Sequence, residues 1–129
     1  INDLDLSDCC YYLGPKTHRE LSELYNQADI MIFPTMLYES LGLVGIEAMA
    51  CGCPVIGSDI GCLPEYIKEG ITGFLFEPGN SHELAERIVD FYKLTEKQRN
   101  TMRLEAIRYV DKYESRKISQ SLINKIKEI

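Results

Sequence analysis

Short apolar runs alternate with segments of helical spacing along most of this chain, and that alternation limits its fold more than any other feature. "CCYYLG" ends at Gly14-Pro15 and is followed by "THRELSELYNQAD", where Leu21, Leu24, Tyr25 and Ala28 fall on one helical face. Thr17 and Glu20 have the spacing of a capping box, which sets the helix start. "IMIFP" is a second strand pattern, and "SLGLVGIEAMACG" is helical up to Gly52, a residue suited to stopping a helix. "PVIGS" reads as a third strand, "LPEYIKEG" as a short helix closed by glycine, and "TGFLFEPG" as a fourth strand stopped by Pro78-Gly79. In "SHELAERIVDFYKL", Leu84, Ile88 and Phe91 share a face. Thr95 to Ile129 reads as two charged helices, the last carrying an apolar stripe of Ile118, Leu122, Ile126 and Ile129.

Strands separated by helices pair in parallel, with helices covering both sheet faces. Right-handed crossovers make such a sheet doubly wound and Rossmann-like. Ligands of these sheets bind beyond the carboxyl ends of the strands. The loops to watch are therefore "GPKT", "PTMLYES" and "GSDIGCLP". At 129 residues the chain fits one domain, and 45% hydrophobic with 26% charged residues is ordinary globular composition. A net charge of -6 argues against a nucleic-acid partner. No apolar run approaches the ~20 residues of a membrane span, and "INDLDLSD" lacks a secretion-signal pattern, so a cytoplasmic location is expected. The absence of a methionine before Ile1 predicts a piece of a longer polypeptide. Cys9, Cys10, Cys51, Cys53 and Cys62 are expected to be reduced and to serve packing, with Cys9 and Cys10 in a buried strand. Their spacing, with His18 and His82 isolated, is not that of a metal site.

Glu39 and Glu47 stand among small and apolar residues, and a carboxylate in such a setting costs free energy unless it meets a partner. A helix begins near Ser40 to Gly42, so eight helical steps would separate the two by roughly 12 Å, about the span of a nucleoside diphosphate sugar. Ionised carboxylates accept pairs of hydrogen bonds, as the neighbouring hydroxyls of a ribose or pyranose offer. The helix N-terminus between them suits a phosphate, and Gly42 opens the backbone to close approach. The plainer alternative is an acidic residue beside a helix dipole and another on a solvated face. Gly45 inside an apolar helix favours the first reading, since glycine there costs ~1 kcal/mol relative to alanine.

"YESLGLVGIEAMACGCPVIGSDIGCLPEYIKEGITGFLFEPGN", with the lead-in "LYNQADIMIFPT", resembles the signature of retaining glycosyltransferases of the GT-B fold. The resemblance covers roughly Tyr11 to Phe91. It implies that residues 1–129 are most of a C-terminal nucleotide-sugar-binding domain, with terminal helices from about 95 and the N-terminal acceptor-binding domain absent. It implies transfer of a sugar from a nucleotide donor to an acceptor hydroxyl with retention at the anomeric carbon. By the same resemblance Glu39 is the catalytic residue at the donor sugar's hydroxyls, and Glu47 holds the nucleotide ribose. The amides of Ser40, Leu41, Gly42 and Leu43 meet the sugar and distal phosphate, and Lys16 lies by the base. Neither metal nor other cofactor is implied, and any membrane contact would come through the missing domain.

Two departures matter. Gly61-Cys62 stands where many members have two glycines, and the lysine and arginine pair that grips the diphosphate lies outside this chain. Weak donor binding and no transfer by the segment alone are expected. Rival readings are another sugar-nucleotide enzyme of the same fold, such as an epimerase or phosphorylase, a non-catalytic sugar-nucleotide binding module, and a flavodoxin-like signalling domain. A phosphorylase would need a marked cofactor lysine, and a signalling domain an acidic pocket at the strand ends.

Overall fold

The computed structural model describes residues 6–114. Strands β1 (Met31–Phe33), β2 (Val55–Ser58) and β3 (Gly73–Phe76) pair in parallel in that spatial order, with Met31 opposite Val55 and Val55 opposite Gly73. Helix α1 (His18–Gln27) precedes β1, α2 (Leu43–Ala50) joins β1 to β2, and α3 (Leu63–Tyr66) joins β2 to β3. After β3 come α4 (Ser81–Lys93), α5 (Glu96–Val110) and a 3-10 turn at Asp111–Tyr113.

Alternation along β2 divides the core. Val55 joins Ile46, Met49, Leu63, Tyr66 and Ala106 on the face covered by α2, α3 and α5. Its neighbour Ile56 points the other way, to Phe74, Phe76, Phe91 and Met102. Both faces are thus covered, as the apolar runs predict, and all four residues of β2 are buried. The face expected on α4 is the one observed: Phe91 is fully buried, with Leu84 and Ile88 packed against the same cluster. The capping box is present too, with Thr17 Oγ1 accepting from Glu20 N–H and Glu20 Oε2 accepting from Thr17 N–H.

"CCYYLG" is not a strand. Cys9 and Cys10 donate their N–H groups to Leu6 O in a turn, and the Tyr11 hydroxyl donates to Asp8 O. The turn engages the N–H groups of Cys9 and Cys10 before any strand could use them, and Tyr12 stands 88% exposed. An apolar run becomes a strand only where a sheet edge accepts it. Cys9 and Cys10 are accordingly exposed, against the expectation of burial. The second correction concerns α2, whose apolar composition predicts burial all round. Gly45, Ile46, Ala48 and Met49 are buried, while Leu43 and Val44 are exposed. The expected last helix, with Ile118, Leu122, Ile126 and Ile129, lies outside the described residues.

Cys53 is fully buried, and burial pushes its thiol from the ordinary 9.0 up to about 11. Burial likewise holds the Tyr66 phenol well above its usual range. Unfolding returns both groups to ordinary values, so at alkaline pH the unfolded chain releases protons that the folded chain keeps. Stability is therefore intact below the unfolded thiol value of 9.0 and declines as pH rises toward about 11. The expected loss from Cys53 is on the order of 2 kcal/mol, read from melting curves across that window. A melting temperature that does not change there contradicts the assignment.

Candidate functional site

Because the strands are parallel, their carboxyl ends share one edge, and the loops that leave them are tied together. Asp59 N–H donates to Phe76 O at 2.8 Å, and Cys62 N–H donates to Glu39 O at 3.0 Å. Gly61 makes the second contact possible. Its φ is +61°, and a Cβ there would lie 2.5 Å from Glu39 O and 2.8 Å from Glu39 N. The backbone of Glu39 is therefore seated on a glycine that no L side chain can replace without displacing it. Close approach occurs at Gly61, while the Cys62 side chain is buried in the core.

The half-buried Glu39 carboxylate has one described side-chain partner, Thr35, whose Oγ1 lies 3.4 Å from Glu39 Oε1. Thr35 Oγ1 also accepts from Leu37 N–H at 3.1 Å, so it braces the loop as well. Ser40 and Leu41 are exposed. Gly42 then takes a left-handed conformation, φ 59° and ψ 49°, and caps α2 with no side-chain hydrogen bond. The first N–H groups of a helix have no intrahelical acceptor. Exposed Leu43 and Val44 leave this terminus open, with the partial positive charge that suits an anion.

Only four helical steps separate Leu43 from Glu47, about 6 Å of rise. The eight-step span expected from sequence does not hold, because α2 starts only at Leu43, after the left-handed Gly42, and Glu39 lies outside the helix. Glu47 is half-buried and lines a cleft of about 350 Å³ with Ile46, Ala50, Ile107, Val110 and Tyr113. Glu39 is not among the residues lining that cleft. The Tyr25 phenol of α1 is raised first by burial and next by the charge of Glu47. Among the described residues no hydrogen bond or ion pair engages the Glu47 carboxylate. Half-buried Lys16 precedes the cap of α1, with Glu20 as its charged neighbour, and no described contact joins it to 39–47.

One basic residue lies near the same edge. Arg87 lines a cleft of about 440 Å³ with Asp59, Phe76, Glu77 and Pro78. Its guanidinium donates to Leu75 O at 2.9 Å and pairs with Glu83 at 3.3 Å and Glu69 at 3.4 Å. That charge is neutralised inside its own cluster. Sequence reasoning missed Thr35, the seat at Gly61 and Tyr66, whose hydroxyl reaches the turn before α2. Gly42 and Gly45, three residues apart, were the available signal for Tyr66, since together they leave a gap on one helix face for a ring to fill.

Residues 1–108 match the family model described as "Glycosyl transferases group 1". The chain belongs to that family. A curated relative, the N-acetyl-alpha-D-glucosaminyl L-malate synthase of Bacillus anthracis, is 37% identical over 100 residues, covering 78% of this chain and 26% of the relative. Among solved structures, Anabaena HepE in complex with UDP and glucose superposes with a TM-score of 0.87 at 26% identity, over 100% of this chain and 35% of that one. Sucrose-phosphate synthase from Thermosynechococcus elongatus gives 0.84 at 28% identity, over 96% and 31%. These neighbours are GT-B glycosyltransferases, and this chain has their α/β Rossmann-like arrangement. It spans about a quarter to a third of their lengths.

Proposed function

We propose that residues 1–129 form most of the C-terminal, donor-binding domain of a retaining glycosyltransferase. The enzyme moves a sugar from a nucleotide donor to an acceptor hydroxyl, and this segment alone is inactive. The observation that carries the reading is Glu39, seated on Gly61 beside the open N-terminus of α2 at the carboxyl edge of the sheet. An ionised carboxylate accepts from sugar hydroxyls, and the uncapped amides receive phosphate oxygens. In this reading Glu39 is the catalytic residue, Ser40, Leu41, Gly42 and Leu43 supply the amides, Glu47 holds the ribose and Lys16 lies toward the base. The neighbour solved with UDP and glucose supports a nucleotide-sugar donor. An acceptor-binding domain N-terminal to this segment completes the site and makes any membrane contact. The enzyme works in the cytoplasm without a metal ion or other cofactor.

Calorimetric titration of this chain with UDP, UDP-glucose and GDP tests the reading. With Arg87 neutralised and no other cation described at the α2 terminus, the charge-assisted bonds that tighten diphosphate binding are missing. Binding weaker than micromolar, without transfer to added acceptors, is expected. Micromolar or tighter affinity overturns the half-site assignment, and no binding to any nucleotide overturns the donor assignment.

A further inference from the structure

Tyr66 is 1% exposed, and its ring lies against the face of α2 that Gly42 and Gly45 leave bare. A Cβ at Gly42 would stand 2.7 Å from the Tyr66 hydroxyl oxygen, and one at Gly45 2.5 Å from it. That hydroxyl donates to Gly42 O at 3.2 Å, and Gly45 N–H donates to the same oxygen at 2.9 Å. Both lone pairs of the carbonyl are engaged. In a trans peptide the C=O and the following N–H point in opposite directions, and no peptide bond here is cis. A Gly42 carbonyl turned toward Tyr66 therefore turns the Leu43 N–H away from the core, out of the helix N-terminus.

We infer that the Tyr66 hydroxyl is a positioning group, which by holding the Gly42 carbonyl aims the Leu43 N–H at the phosphate and sugar of a nucleoside diphosphate sugar. The inference rests on the donor-binding reading above. Without the hydroxyl, the Gly42 carbonyl keeps only the bond from Gly45 N–H, so one hydrogen bond in place of two sets the tilt of the peptide between Gly42 and Leu43. Burial first, then the neighbouring Cys62 and Glu39, push the phenol well above its usual range, so it remains a donor at any working pH. Space filling alone calls only for a phenyl ring. A buried hydroxyl adds a desolvation cost that its bond to Gly42 offsets.

The test is an amide-resolved NMR titration of the chain with UDP and with uridine, in the wild type and in Tyr66→Phe, which keeps the ring. The expected results are a Leu43 amide shift with UDP, little with uridine, and UDP affinity lowered roughly threefold to tenfold in the variant. Uridine shifts and the far-ultraviolet spectrum should match the wild type, which a merely structural defect would not allow. Equal UDP affinity in a folded Tyr66→Phe overturns the inference and leaves the donor reading standing. If the variant does not fold, the wild type decides: UDP shifts elsewhere with an unmoved Leu43 amide overturn the inference alone. No shift anywhere with UDP overturns it together with the donor reading.

Discussion

Alanine at Gly73 is expected to cost about 3–5 kcal/mol, a large share of the ~5–15 kcal/mol that stabilises a whole domain. Gly73 opens β3 opposite Val55, and a Cβ built there would collide with Val55 O and lie 2.9 Å from Val55 C and 3.1 Å from Val55 N. The obstacle is backbone, which cannot rotate aside as a side chain can. Relief requires β3 to move off β2, and the pairs Ile56 with Phe74, Gly57 with Leu75 and Ser58 with Phe76 follow the same ladder. Phe74 and Phe76 would then withdraw from Ile56 and Phe91. Denaturant unfolding monitored by circular dichroism measures the loss. A Gly73→Ala chain within 1 kcal/mol of the wild type, on the order of a typical neutral surface change, would refute this account of the sheet.

Glu39→Gln in the full-length enzyme is expected to lower kcat about a hundredfold, near 3 kcal/mol at ~1.4 kcal/mol per tenfold. The substitution keeps shape and the Thr35 contact while removing the charge. Sugar hydroxyls become stronger donors as positive charge develops at the anomeric carbon, so a carboxylate in the proposed role would bind the transition state better than the ground state. Its effect belongs in kcat. If Glu47 holds the ribose as proposed, Glu47→Ala removes contacts remote from the reacting bond and made alike in both states, so KM should rise about tenfold or more with kcat little changed. Steady-state kinetics with the preferred donor separate the two. Equal effects of both variants on kcat would remove the division of roles, and wild-type kinetics in both would remove Glu39 and Glu47 from the site.

Much of the frame was legible because its causes are local. The apolar runs at 31–33, 55–58 and 73–76 form the strands, since each is short, continuous and bounded by turn residues. The Thr17 and Glu20 box and the stop at Gly52 needed only neighbours in sequence. Glu39 and Glu47 stood out for the price of a carboxylate among apolar residues. "CCYYLG" failed the same reasoning because strand formation needs an edge, and the turn at Leu6 takes the N–H groups of Cys9 and Cys10.

The sequence by itself determined the α/β order of elements, the helix caps and the two carboxylates, because periodicity and capping act over a few residues. Only the tertiary structure decided how those carboxylates are presented. Gly61 admits the backbone of Glu39 from more than twenty residues away, Gly42 caps α2 in a left-handed turn, and Tyr66 fills the space left by two glycines. Each is a steric or hydrogen-bond relation between atoms distant in the chain, set by how the loops meet at the carboxyl edge of the sheet, and no local pattern of residue types encodes it.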